Sequence, residues 1–253
     1  MTRIRVARRA LVATVLVATV ATGCSAGHPK TLPAAPATRP LAYVALGGED
    51  TFGSGTEVRL RNAWPYVFFR TALPRSATLV NLAATGATTD DLLDRQVPEA
   101  LQLHPDLVTI SITDDAFSTT TVSTVSARLR QAVQQLRADG RTRVLLANIP
   151  PLDKRPGYTS CLPGAAGDPS QCQVASPVPT PAQLNARVAT LNDAIARIAT
   201  EEGATLVDLA TPMLAERTAG REATEFFSDD LSPNAAGNAV YARAFASAYA
   251  QPR

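Results

Sequence analysis

Short apolar runs alternate with longer amphipathic stretches along most of the chain. Residues 41–46, 78–82, 107–112, 143–147 and 205–209 are apolar almost throughout, the pattern of strands buried on both faces of a parallel sheet. Between them the apolar period lengthens. Val122, Val125, Leu129, Val133 and Leu136 form one helical stripe, stopped by Gly140. Leu184, Val188, Leu191, Ile195 and Ile198 form another, with Thr180 as N-cap, Pro181 at the first helical position and Gly203 past its end. A last helix is expected from Ser232-Pro233 onward, carrying Val240, Tyr241, Phe245 and Tyr249, with Ser232 as its cap. This alternation predicts an α/β fold, a three-layer α/β/α sandwich on a five-stranded parallel sheet, with sites at the carboxyl ends of the strands. Residues 150–179 break the pattern and are expected to form a loop over or beside that face.

The first forty residues have a different character. Arg3, Arg5, Arg8 and Arg9 precede an apolar stretch from Ala10 to Val20 that is short for a membrane span. Ala21-Thr22-Gly23-Cys24 resembles a bacterial lipobox, which makes 1–23 a signal peptide and Cys24 the lipidated residue. An ordinary secretory signal with an incidental Cys24 is the alternative. Residues 24–40, rich in Pro and Ala, read as a tether, and 41–253 as one domain. The expected location is the outer face of the cytoplasmic membrane, with the lipid anchor as membrane partner.

Cysteine use agrees with export. Cys161 and Cys172 lie close together in the irregular stretch, and an oxidising compartment would pair them. Two cysteines without a nearby histidine make a poor metal site. A net charge of +2 leaves no nucleic-acid footprint.

Four motif blocks bear on chemistry. Gly47-Gly48-Glu49-Asp50-Thr51-Phe52-Gly53 follows the first strand and is similar to the G-D-S-L-T-x-G block of the SGNH/GDSL hydrolases. Asn81 to Thr88 resembles that family's N-x-A-x-x-G-A-T, and Pro105 to Asp115 its P-D-L-V-T-x-x-I-G-x-N. Phe226 to Gly237 resembles D-G-x-H-P-x-x-x-G, and Asn148-Ile149-Pro150-Pro151 is also of the family's type. The resemblance spans the whole mature domain and implies the flavodoxin-like α/β/α fold of that family.

What it implies about catalysis is different. In the family a serine attacks an acyl carbonyl, a histidine takes its proton and an aspartate orients the histidine, while Ser, Gly and Asn donate to the oxyanion. In this register Glu49 stands at the serine, Asp115 at the asparagine and Ser232 at the histidine. Gly86 and Asp229 keep the family types. His28 and His104, the two histidines, lie in the tether and ahead of the third strand.

The expectation is therefore a non-catalytic, ligand-binding pseudoenzyme, with an envelope lipid or glycan as its ligand. Glu49, Asp114, Asp115 and Asp229 are expected to converge as an acidic cluster, compatible with a divalent cation or with carboxylate catalysis on esters or glycans. No cofactor is otherwise expected, and no metal ligands are assigned. Residual esterase activity, and an interaction protein displaying the 150–179 loop, are the other readings.

Overall fold

The computed structural model describes residues 39–165, 168–219 and 231–252. The signal peptide, Cys24 and the tether lie outside the described residues. Five parallel strands form one sheet: β1 (Ala42–Gly47), β2 (Thr78–Asn81), β3 (Leu107–Ser111), β4 (Arg143–Ala147) and β5 (Thr205–Val207), in the order β2-β1-β3-β4-β5. The labelled helices are α1 (Glu49–Phe52), α2 (Trp64–Ala72), α3 (Val97–Gln102), α4 (Val122–Arg137), α5 (Pro181–Glu201), α6 (Ala210–Thr218) and α7 (Ala235–Ala250).

Strand alternation sorts the core into two halves. Val44, Leu46, Val108, Ile110, Val144 and Leu146 face one side, where they meet Val97, Leu129, Val133, Leu191 and Ile195 of α3, α4 and α5. Tyr43, Ala45, Leu107, Leu145 and Val207 face the other, against Phe68, Met213, Tyr241 and Phe245 of α2, α6 and α7. Trp64 stacks flat on Phe245 at 4.0 Å between centroids and locks α2 to α7. The sheet is thus covered on both faces, as its unbroken apolar strands require.

Helix ends follow local chemistry. Thr121 caps α4 through the amide of Thr124, and Thr180 forms a capping box with Gln183 at the start of α5. The cap of α7 is Asn234, whose Oδ1 accepts from the amides of Ala236 and Gly237, and not the expected Ser232. Asn234 wins because Asn and Ser cap comparably well, while Ser232 is fully buried elsewhere. Before α3 the chain makes a π-helical turn, Leu92–Gln96, that turns the Gln96 amide inward. Such turns recur at functional sites.

The 150–179 segment is not simply draped over the sheet. Cys161 and Cys172 form a disulfide within it. Its first part is wedged inward: Tyr158 is buried, with its hydroxyl donating to the Pro179 carbonyl, and Arg155 is only 1% exposed. Arg155 grips Asp50, itself 2% exposed, through two parallel contacts of 3.0 Å. The same guanidinium donates to the Leu231 carbonyl at 2.5 Å and to the Tyr241 hydroxyl at 2.8 Å, and that hydroxyl donates on to Asp50. Burial works against the Arg155 charge, but the Asp50 carboxylate and the Tyr241 hydroxyl together outweigh it and the guanidinium pKa goes up. Burial also raises the Tyr241 hydroxyl well above its ordinary value. An acid in the first turn of a helix ordinarily complements its dipole; the partner of Asp50 is instead this distant arginine.

Replacing Arg155 with Met strands a buried carboxylate and is expected to destabilise the domain by about 3–5 kcal/mol in urea melts. Asp50→Leu added to Arg155→Met recovers much of that loss, because no unpaired charge is left. The Cys161→Ala/Cys172→Ala variant loses about 3 kcal/mol, the loop-closure contribution for a bridge of this span.

Candidate functional site

The site gathers at the carboxyl ends of β1 and β3, where the first three motif blocks meet. Gly47 ends β1 at φ +145, and a Cβ there would sit 2.3 Å from the Ser111 carbonyl oxygen, so only glycine lets β1 turn into α1 beside β3. Gln96 clamps this turn from both sides. Its Oε1 accepts from Gly47 N at 2.8 Å, and its Nε2 donates to Gly47 O at 3.0 Å. Asn81, at the end of β2, donates to the Thr51 carbonyl and so braces α1 from the other flank. Gln96 was not legible as a site residue, since nothing in sequence announces a π-helical turn.

Glu49 begins α1, half-buried, with its Oε2 accepting from the main-chain N–H of Gly86 at 3.2 Å. The N–H of Glu49 itself donates to Oδ2 of Asp114 at 3.0 Å. The main-chain donors that the family register assigns to the oxyanion, those of Gly86 and Glu49, are therefore filled from within the chain by carboxyl oxygens. Gly48 makes the second contact feasible: a Cβ on it would fall 1.8 Å from Asp114 Oδ2. The G-D-S wording has an aspartate at this position, and here the acid of the third block occupies its room.

Asp114 and Asp115 sit on one turn of 3₁₀ helix, Thr113–Ala116, with three residues per turn, so adjacent side chains diverge. Asp115 is fully buried, and its carboxylate accepts from the amide and hydroxyl of Thr89 at 3.0 and 2.9 Å. Arg187 of α5 holds the same turn by donating to the Asp115 carbonyl and to the Thr120 carbonyl. The register match of Asp115 to the family asparagine thus does not carry its side chain to the α1 end; Asp114 is the residue that reaches it. Burial, with the Asp50 carboxylate next in weight, pushes the Asp114 carboxyl up to about 8. Burial pushes Asp115 up to about 6, against the hydrogen bonds from Thr89.

The expected four-acid cluster is accordingly divided. Glu49 and Asp114 meet at α1, Asp115 serves Thr89, and Asp229 lies outside the described residues. Among the described residues no group of three or more His, Cys, Asp or Glu is arranged to hold a metal ion.

Ser232, at the position of the family histidine, is fully buried behind the loop that follows α1. A Cβ on Gly55 would lie 2.9 Å from Ser232 Cβ and nearer still to the Ser232 and Pro233 carbonyl oxygens. Backbone packs directly on this serine, and an imidazole in its place would have to displace the loop. His104, the one histidine among the described residues, is exposed ahead of β3, at the opposite end of the sheet. Thr51 is fully buried and Ser54 half-buried, and among the described residues no base reaches either hydroxyl. A groove of about 500 Å³ adjoins this region, lined by Gly55, Thr56, Glu57, Asn62 and the start of α7.

The sequence model of the GDSL-like lipase/acylhydrolase family matches residues 45–240. No curated protein matches the sequence. Among solved structures, the fold is similar to the lipase/acylhydrolase from Enterococcus faecalis, at 19% identity, 82% coverage of this chain, 94% of that chain and a TM-score of 0.60. It is similar to an acetylxylan esterase from Geobacillus stearothermophilus at 17% identity, 85% and 98% coverage and a TM-score of 0.59. A psychrotrophic esterase from Pseudoalteromonas gives 15%, 82%, 96% and 0.56. At these identities the likeness is one of fold.

The raised carboxyls set a pH dependence. A carboxyl whose pKa is higher folded than unfolded binds more protons in the native state, so stability falls as pH rises from about 4 toward its folded pKa. For Asp114 that fall continues to about 8, whereas Asp115 completes its share near 6. Thermal melts between pH 6 and 9 should show a declining midpoint. Asp114→Asn, which keeps an acceptor for Glu49 N–H, should flatten the decline and raise the midpoint at pH 9 by roughly 2–4 °C for each kcal/mol relieved.

Proposed function

The chain belongs to the GDSL-like lipase/acylhydrolase family, and from that premise we propose that it is a non-catalytic member, held at the outer face of the cytoplasmic membrane through Cys24, that binds an envelope ligand. The observation that carries this reading is the internal occupation of the two site amides: Gly86 N–H by Glu49, and Glu49 N–H by Asp114. An oxyanion requires donors that are free to turn to it as charge develops. Here each amide already serves an acid of the chain, so neither is free to turn to a developing oxyanion. The buried Ser232 and the distant His104 supply no base to a hydroxyl nucleophile. The acetylxylan esterase among the similar structures acts, by its name, on a glycan ester, which supports an acetylated glycan as ligand class.

One observation favours a second reading. Asp114, whose carboxyl burial pushes up to about 8, lies against the Glu49 amide, and paired carboxyl groups are the equipment of acid–base catalysis. In that case turnover would pass through Glu49 and would need no serine.

Both readings are open to the same assay. The mature chain is incubated with p-nitrophenyl acetate and acetylated xylo-oligosaccharide, and separately with a fluorophosphonate probe. The expected result is no turnover above buffer and no labelled serine, with a raised melting midpoint in the oligosaccharide. Glu49→Ser/Ser232→His should stay inactive, since Asp114 still holds the residue-49 amide and Gly55 still crowds residue 232. Turnover abolished by Glu49→Gln would establish the carboxylate mechanism instead, and probe labelling would establish a serine hydrolase.

A further inference from the structure

A single helical turn, Arg59–Asn62, projects from the segment between α1 and α2. On it stand the two most exposed large apolar side chains among the described residues, Leu60 at 62% and Val58 at 52%. They alternate with Arg59 and Arg61, both exposed, and Arg70 of α2 lies alongside. No carboxylate among the described residues pairs with Arg59, Arg61 or Arg70, although other surface arginines of the domain are paired. The turn is also held rigid. Arg70 donates to the Leu60 and Arg61 carbonyls, and the Arg59 guanidinium stacks over Phe52 at 4.0 Å.

We propose that this turn docks the domain onto an anionic lipid surface, with Val58 and Leu60 entering the headgroup layer and the arginines meeting lipid phosphates. Basic residues interleaved with exposed apolar ones suit an interface that is charged outside and oily beneath. A rigid turn meets it without the entropy of ordering a loop. Chain length allows the contact. The stretch from Cys24 to Arg39 can extend to at most ~50 Å, whereas a domain of this size has a radius of gyration of only ~17 Å. An anchor of that reach leaves the domain's orientation open, and the turn fixes it. Docked in this way, the groove lined by Asn62, Glu57 and the start of α7 opens next to the headgroups.

The test uses the mature chain from Cys24, left unacylated so that the anchor contributes nothing, sedimented with phosphatidylcholine vesicles with and without phosphatidylglycerol. Binding is expected only to the anionic vesicles and should fall as salt rises. Arg59→Gln/Arg61→Gln should weaken it by about tenfold or more, and Val58→Ser/Leu60→Ser should weaken it as well. Leu214→Ser, at a half-exposed leucine on α6, should leave it unchanged. Absence of binding, equal binding to neutral vesicles, or indifference to the arginine substitutions would each overturn the proposal. A catalytically active chain would give the same sedimentation results, so failure here is distinct from failure of the non-catalytic reading.

Discussion

The ion pair between Asp50 and Arg155 is the constraint around which the site end of the domain is organised. Neither group can be dehydrated alone, and each is nearly water-free, so the three segments that carry them and their partners must arrive together. Asp50 brings α1, Arg155 brings the disulfide-bearing segment, and Tyr241 with the Leu231 carbonyl brings α7 and its approach. Glu49 is the neighbour of Asp50 and Ser232 the neighbour of Leu231, so both of these motif positions inherit their placement from this one contact. Such a pair adds little net stability over an apolar substitute, but it admits few alternative arrangements of the chain.

The charge balance around α1 follows from the same contact. Glu49, Asp50 and Asp114 crowd one turn, and the buried Arg155 guanidinium is spent on Asp50. Burial, with the Asp50 carboxylate next in weight, keeps the proton on Asp114, and its oxygen still accepts from the Glu49 amide. The amides of Gly86 and Glu49 thus turn toward acids of their own chain.

Much of the fold was legible because parallel strands buried on both faces leave unbroken apolar runs, and because α4 and α5 keep their stripes and caps in plain order. What escaped depended on contacts far apart in sequence. Nothing near Asp50 in sequence announces its partner, since that arginine lies 105 residues away. Ser232 read as a cap because Ser-Pro opens many helices, and only the close approach of Gly55 removes it to the interior. Motif register chose Asp115 over Asp114, but register counts residues and cannot say which of two neighbours on a tight turn faces the site. The helix α2, with Trp64, Pro65 and Phe68 buried on one face, gave no clean polar stripe to set against them.

The room that Gly48 leaves for Asp114 limits what the first motif block can carry. A Cβ at 48 would fall 1.8 Å from Asp114 Oδ2 and 2.6 Å from the Ala87 carbonyl oxygen. Removing the Asp114 side chain clears only the first of these contacts, because the second is main chain. A side chain at 48 therefore asks for a shift of the second block's backbone as well as a change in the third block.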